Sequence, residues 1–198
     1  MTFSTRRLSL LAVPLLLVGC SSASKSADSA ARAGSTAASS MSAGQPMPAG
    51  QTMAAAAVPT ATAKMVCGED IMGKVVQVLK LTKKPATTTT WANQLYTCTY
   101  ALPMGPMVLS VKQSKTSAAA KAYFTSLRST LGPTESLVGL GEGAYRTTTG
   151  IAVVVKDNMT LKVDTTRLPA VFGPEDQKRT DLSNQIASDV LGCWTGDE

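Results

Sequence analysis

A break in composition near residue 65 decides how much of this 198-residue chain can fold. Ahead of it, Ser21 to Lys64 is mostly Ala, Ser, Gly, Thr and Pro, with three Met and very few large apolar side chains. Such a stretch buries too little surface to offset the entropy of ordering it, so it reads as a disordered tether. As a flexible coil it would span roughly 35–40 Å end to end. Beyond the break, apolar residues become periodic and Trp and Tyr appear. Residues 65–198 therefore read as a single domain of ordinary size with its own core.

Upstream of the tether, Arg6 and Arg7 precede an apolar run from Leu8 to Val18. The run has the length of a signal-peptide core and is shorter than the ~20 residues a membrane-spanning helix needs. Pro14 in its middle weakens a spanning helix further. Leu17-Val18-Gly19-Cys20 then resembles a bacterial lipobox. The resemblance implies removal of residues 1–19 and a diacylglyceryl thioether, with palmitate-type chains, on Cys20. Two or more acyl chains hold a protein stably to a membrane, whereas one holds it marginally. A plain secretory signal with a coincidental Cys20 is the alternative. Leu8-Ser9-Leu10 after the arginine pair fits twin-arginine export poorly. The expectation is an extracytoplasmic protein anchored to the cell membrane through Cys20.

Within the tether, Met41, Met47 and Met53 recur at a spacing of six. Soft thioether sulfur favours copper(I), but flexible methionines in a chain with no histidine make a weak site, and duplication in a spacer accounts for the pattern. No metal or other cofactor is expected. The whole-chain charge is +6, yet acids and bases nearly balance beyond residue 65 and are scattered along it. That pattern, together with export, argues against nucleic acid as a partner.

Spacing within the domain predicts a helix over 69–81, where Ile71, Val75, Val78 and Leu79 share a face and Glu69 and Asp70 suit the positive end of the helix dipole. Residues 83–93, with Pro85 and four consecutive threonines, read as a loop or edge segment. Leu95–Leu102 and Met107–Gln113 alternate as strands around a Pro103–Pro106 turn. Ser117–Leu131 reads as a helix ended by Gly132-Pro133, and Leu137–Thr147 as one glycine-interrupted strand. Ile151–Val155 and Met159–Val163 form a hairpin pair, and Pro174–Leu191 a terminal helix. The order α-β-β-α-β-β-β-α implies an α+β fold: an antiparallel sheet of about five strands with three helices packed mainly on one face.

With Cys20 lipidated, Cys67, Cys98 and Cys193 remain, and outside the cytoplasm thiols tend to pair. Cys67–Cys98 is the preferred bridge, stapling the first helix to the first strand; Cys67–Cys193 is the alternative. Three isolated cysteines without histidine lack a fourth soft ligand for a metal. Without histidine, neither the remaining thiol nor any serine has its usual activating base. Gly139-Leu140-Gly141-Glu142-Gly143-Ala144-Tyr145 resembles a phosphate loop in glycine content only: the spacing is wrong, no Lys-Ser/Thr follows, and it leads into a strand. It reads as a turn or bulge. Asn158-Met159-Thr160 matches a glycosylation sequon, with Asn158 better explained by the hairpin turn. Glu142, Asp157 and Asp164 are the acids that could be imagined as a pair. Trp91 and Trp194 read as packing residues.

The lipobox, the Ala/Ser/Thr-rich stalk, Cys67 opening a helix, Cys98 within Leu95-Tyr96-Thr97-Cys98-Thr99-Tyr100 and the glycine-rich segment before a Val-rich strand are together similar to small exported lipoproteins of actinobacteria. Some similar domains are extracellular sensor or binding modules, including ones attached to membrane Ser/Thr kinases. The tether and a compact domain in which no catalytic residue is assigned point to a non-enzymatic, lipid-anchored module that binds a ligand or partner of the cell envelope. An amphiphile between helix layer and sheet would suit such a module if that space is open. The alternative is an envelope hydrolase acting on wall glycan through an unassigned carboxylate pair.

Overall fold

The structure is a computed structural model that describes residues 58–173 and 175–194. Cys20, the signal segment, the tether up to residue 57 and its methionines, and Pro174 lie outside the described residues. Order begins ahead of Met65. Thr60 caps a short helix α1 (Ala61–Lys64) by accepting from Ala63 N, and Ala63 is fully buried. A 3-10 turn (Met65–Cys67) leads through Gly68 into α2 (Glu69–Val78), whose first turn carries Glu69 and Asp70.

α2 stops three residues short of the spacing-based expectation. Lys80 adopts φ 50°, its N–H bonds Gln77 O, and Leu81 N–H reaches back to Val76 O. This is a Schellman stop, with lysine in the left-handed position usually given to glycine.

Seven strands follow in one antiparallel sheet, two more than expected. They are β1 (Ala86–Ala92), β2 (Leu95–Leu102), β3 (Gly105–Gln113), β4 (Thr134–Leu137), β5 (Gly143–Thr147), β6 (Ile151–Lys156) and β7 (Met159–Asp164). Their spatial order is β1-β2-β3-β7-β6-β5-β4. β1 is the threonine segment, which pairs with β2 along its whole length from Ala86↔Ala101 to Ala92↔Leu95. β-Branched threonine fits an extended, half-exposed backbone, and Asn93-Gln94, both at positive φ, close the hairpin. Beyond Leu137, the segment 137–147 is strand only at Gly143–Thr147: the chain reverses at Gly139 (φ 82°) and Gly141 (φ 55°), so that β4, which ends at Leu137 and lies ahead of the rest of the expected strand, runs beside β5. A Cβ on Gly141 would stand 2.6 Å from Val155 O, which closes that position to other residues.

α3 (Ser117–Thr130), capped by Thr116, crosses between β3 and β4. After β7 a small hairpin, β8 (Val171–Phe172) with β9 (Gln177–Lys178), precedes α4 (Arg179–Trp194). The terminal helix therefore starts at Arg179, not at Pro174. Its N-terminal end is fixed by Arg179, whose Nη1 donates to Thr166 O and Leu168 O, and by buried Thr165, whose hydroxyl contacts Gly150 O and Arg179 O.

The helices do not share one face. α2 and α4 pack into the main core on Tyr96, Cys98, Tyr100, Leu109, Val111, Leu161, Val163, Ala152 and Val154. These residues fall on one side of the pleat, as the pairs Cys98↔Leu109, Leu109↔Val163 and Val154↔Leu161 require. α3 lies on the opposite side, where Phe124, Leu127 and Leu131 cover Tyr145, Ile151 and Val153. β6 therefore needs apolar residues on both faces, and all five from Ile151 to Val155 are buried.

Candidate binding face

Because α3 packs on β5, β6 and β7 and reaches only Lys112 of β3, it leaves the same side of β1 and β2 uncovered by any described helix. Strand alternation decides what that side carries. In β2 the residues Tyr96, Cys98, Tyr100 and Leu102 turn inward to the core, so Leu95, Thr97, Thr99 and Ala101 turn outward. Register then aligns two rows across the sheet. One runs Thr90, Thr97, Ser110, Lys162; the other runs Thr88, Thr99, Val108, Asp164. Hydroxyls recur about 7 Å apart along a strand and about 5 Å apart between strands.

The rows are bounded on the α3 side by charge and by an aromatic ring. Lys162 Nζ lies 3.5 Å from Asp164 Oδ2, and Asp164 Oδ1 accepts from both the N–H and the hydroxyl of Thr166. The Lys112 ammonium lies 5.8 Å from the centroid of the Tyr123 ring on α3 and donates to Asn93 O. Partial burial pushes the Tyr123 hydroxyl above its ordinary pKa, so it stays protonated and able to donate. Among the described residues, the face is thus a flat, nearly neutral platform of donor–acceptor hydroxyls with an aromatic wall.

The preferred cysteine pair is present: Cys67 and Cys98 form a disulfide with Cα atoms 5.6 Å apart. It ties the turn before α2 to the inward face of β2, beside Tyr100, whose hydroxyl donates to Val66 O at 2.6 Å. Burial raises the pKa of the Tyr100 hydroxyl, first by desolvation and then through Tyr96. The bridge sits under the platform and holds its middle strand. Cys193 is buried in α4 outside the disulfide.

The acids singled out in the sequence each hold a structural contact. Glu142 Oε1 accepts from Asp157 N at 2.7 Å and Oε2 pairs with Lys121 at 2.6 Å, so one carboxylate joins the glycine loop, the β6–β7 turn and α3. The Lys121 bond, then the Asp157 N–H, hold its pKa below the ordinary 4.5. Asp157 pairs with Lys156 at 3.0 Å, and Asp164 serves the turn after β7. Asn158 Nδ2 donates to Ser114 O beside that same hairpin. Trp91 packs partly buried against the main core, and Trp194 is buried within it.

The space between helices and sheet is filled by fully buried side chains such as Leu109, Val111, Leu161, Ile186 and Val190. A larger hollow, of about 260 Å³, opens between the glycine loop and α4 at Gly139, Leu140, Lys156, Ser188 and Leu191, and an apolar one, of about 50 Å³, lies at the end of α2 between Val78, Leu79, Met104 and Phe172, with the Lys80–Glu175 ion pair at its rim. The apolar one is smaller than an acyl chain requires. A polar notch between α2 and α4 holds Lys74, Gln77, Gln185 and Asp189. Burial raises the Asp189 carboxyl pKa, opposed by Lys74.

The platform did not emerge from the sequence reading. Its signal was nonetheless there, in the i, i+2 threonines of Thr88/Thr90 and Thr97/Thr99, once both segments are strands in register. No protein-family model, curated protein or solved structure matches this chain.

Proposed function

We propose that this chain is a lipid-anchored, non-enzymatic binding module of the cell envelope, held to the membrane through Cys20 and receiving an envelope glycan on the hydroxyl-lined half-sheet. The anchor rests on the order Arg6-Arg7, apolar run, Leu17-Val18-Gly19-Cys20 and tether. The binding role rests on one observation: the uncovered side of β1 and β2 presents Thr88, Thr90, Thr97 and Thr99 in two registered rows, which run on to buried Ser110 and to Val108 of β3. Polyols are donors and acceptors at every hydroxyl, as threonine is, and a sugar ring has an apolar face that lies on an aromatic. The Lys162–Asp164 pair adds polarity without net charge, which suits a neutral polymer better than an anionic one.

Two experiments test the two parts. Intact-mass measurement of the protein from its own host should give a chain starting at Cys20 and carrying acyl chains; an unmodified thiol contradicts the anchor. A Cys20→Ser chain, made without acylation, should co-sediment saturably with purified wall polysaccharide. Thr97→Val with Thr99→Val keeps shape and removes two hydroxyls. Each net hydrogen bond contributes about 0.5–1.5 kcal/mol, so binding should weaken about tenfold. Unchanged binding by that variant contradicts the glycan face.

A further inference from the structure

The two edges of the sheet are built differently. β4 is four residues long, and Glu135 on it is paired at 2.9 Å with Arg146 of β5, so it is a short edge guarded by charge. β1 at the other edge is seven residues, Ala-Thr-Thr-Thr-Thr-Trp-Ala. It carries no charge and no proline, and it runs without a bulge in continuous register with β2. It is the last strand in the sheet order, and its outward N–H and C=O groups meet no other described strand. Long, flat, neutral edges of this kind recruit a further strand.

The strand also says what would recruit. Its residue types are nearly symmetric about Thr89: Ala86 mirrors Ala92, Thr88 mirrors Thr90, and Thr87 is set against Trp91. An antiparallel pair of identical strands has a two-fold axis, so each residue meets its mirror position in the other copy. Centred on Thr89, the pairing sets Ala86 against Ala92, Thr88 against Thr90 and Thr87 against Trp91, and no residue of the strand is charged. Lys84, whose charge is met by Glu69, falls beside the Asn93-Gln94 turn of the other copy, to which Lys112 donates at Asn93 O.

We infer that β1 is a homodimer edge, at which a second copy of this chain adds in antiparallel register about Thr89. This goes beyond the glycan reading and holds independently of it. The axis is perpendicular to the sheet, so both hydroxyl platforms lie on the same side of a continuous fourteen-strand sheet. Thr88 of one copy then neighbours Thr90 of the other, and each platform row continues across the interface.

Sedimentation velocity on the Cys20→Ser chain between about 1 and about 100 µM tests this. The expected result is a concentration-dependent monomer–dimer equilibrium. Thr89→Lys sets two ammonium groups together at the axis and should weaken dimerisation at least about tenfold, with the exposed site leaving the circular dichroism spectrum unchanged. Thr88→Cys with Thr90→Cys, on the face away from Cys98, brings a thiol of each copy within cross-strand distance of one in the other, about 4.5–5.5 Å between Cβ atoms, and should give a covalent dimer on mild oxidation. A monomer across the range, a dimer insensitive to Thr89→Lys, or a Thr88→Cys, Thr90→Cys chain that does not cross-link would each overturn the inference. Thr97→Val with Thr99→Val should leave the dimer intact, which separates its failure from that of the glycan face.

Discussion

The two halves of the sheet are made of the same antiparallel ladder and are used in opposite ways. β5, β6 and β7 are covered on both sides, by α4 on one and α3 on the other, and β6 is apolar at every position from Ile151 to Val155. β1 and β2 are covered on one side only, and β2 alternates half-exposed and buried residues along most of its length. The first half buries side chains on both of its faces. The second half holds its inner face with Tyr100 and the Cys67–Cys98 bridge and keeps its outer face polar and available. By placing a single helix over half a sheet, the chain leaves the other half open for the partner proposed above.

That division of labour can be broken one half at a time. Tyr145 is fully buried under α3; its ring lies 4.7 Å from that of Phe124 and its hydroxyl donates to Phe124 O. Desolvation pushes its pKa up to about 12. Tyr145→Ala empties the doubly covered half and should cost about 3–5 kcal/mol in denaturant unfolding. On the other half, Cys67→Ala with Cys98→Ala opens a loop of 31 residues. The expected loss is about 3–4 kcal/mol, and reductant should destabilise the parent chain but not this variant.

Glu142 clamps the glycine loop to the doubly covered half, and its effect should follow pH. Its folded pKa is lowered, so its contribution is present above the ordinary 4.5 and disappears as pH falls through the folded value. The Tm of Glu142→Gln should therefore lie below that of the parent at pH 7, with the gap closing on acidification below 4.5. The smallest effect belongs to the platform. Thr97→Val with Thr99→Val should change stability by no more than about 0.5 kcal/mol, even as glycan retention falls.

Much of this arrangement was legible in the residues, and what was missed has physical reasons. Alternation in Leu95–Leu102 exposed β2 and its inward Cys98, and the stripes of α3 and α4 were plain. β1 was read as loop or edge because an edge strand exposed over most of its length has no apolar alternation to show. The turn between β4 and β5 was read as strand because the glycines that reverse the chain look, in sequence, like those that interrupt a strand, and β4 itself, four residues with a half-exposed or exposed pattern throughout, showed no alternation to find. A helix stripe says that a helix is covered, not which side of the sheet covers it, so α3 was placed with the others. The unbroken run Ile151–Val155 held the missing information, since a strand apolar at every position needs cover on both faces.

Hydrogen–deuterium exchange of the Cys20→Ser chain, with and without purified wall polysaccharide, reads both halves in one experiment. The account predicts added protection in residues 86–112 and at Tyr123, with residues 143–155 unchanged. Protection confined to the doubly covered half, or none anywhere at saturating polysaccharide, would contradict it.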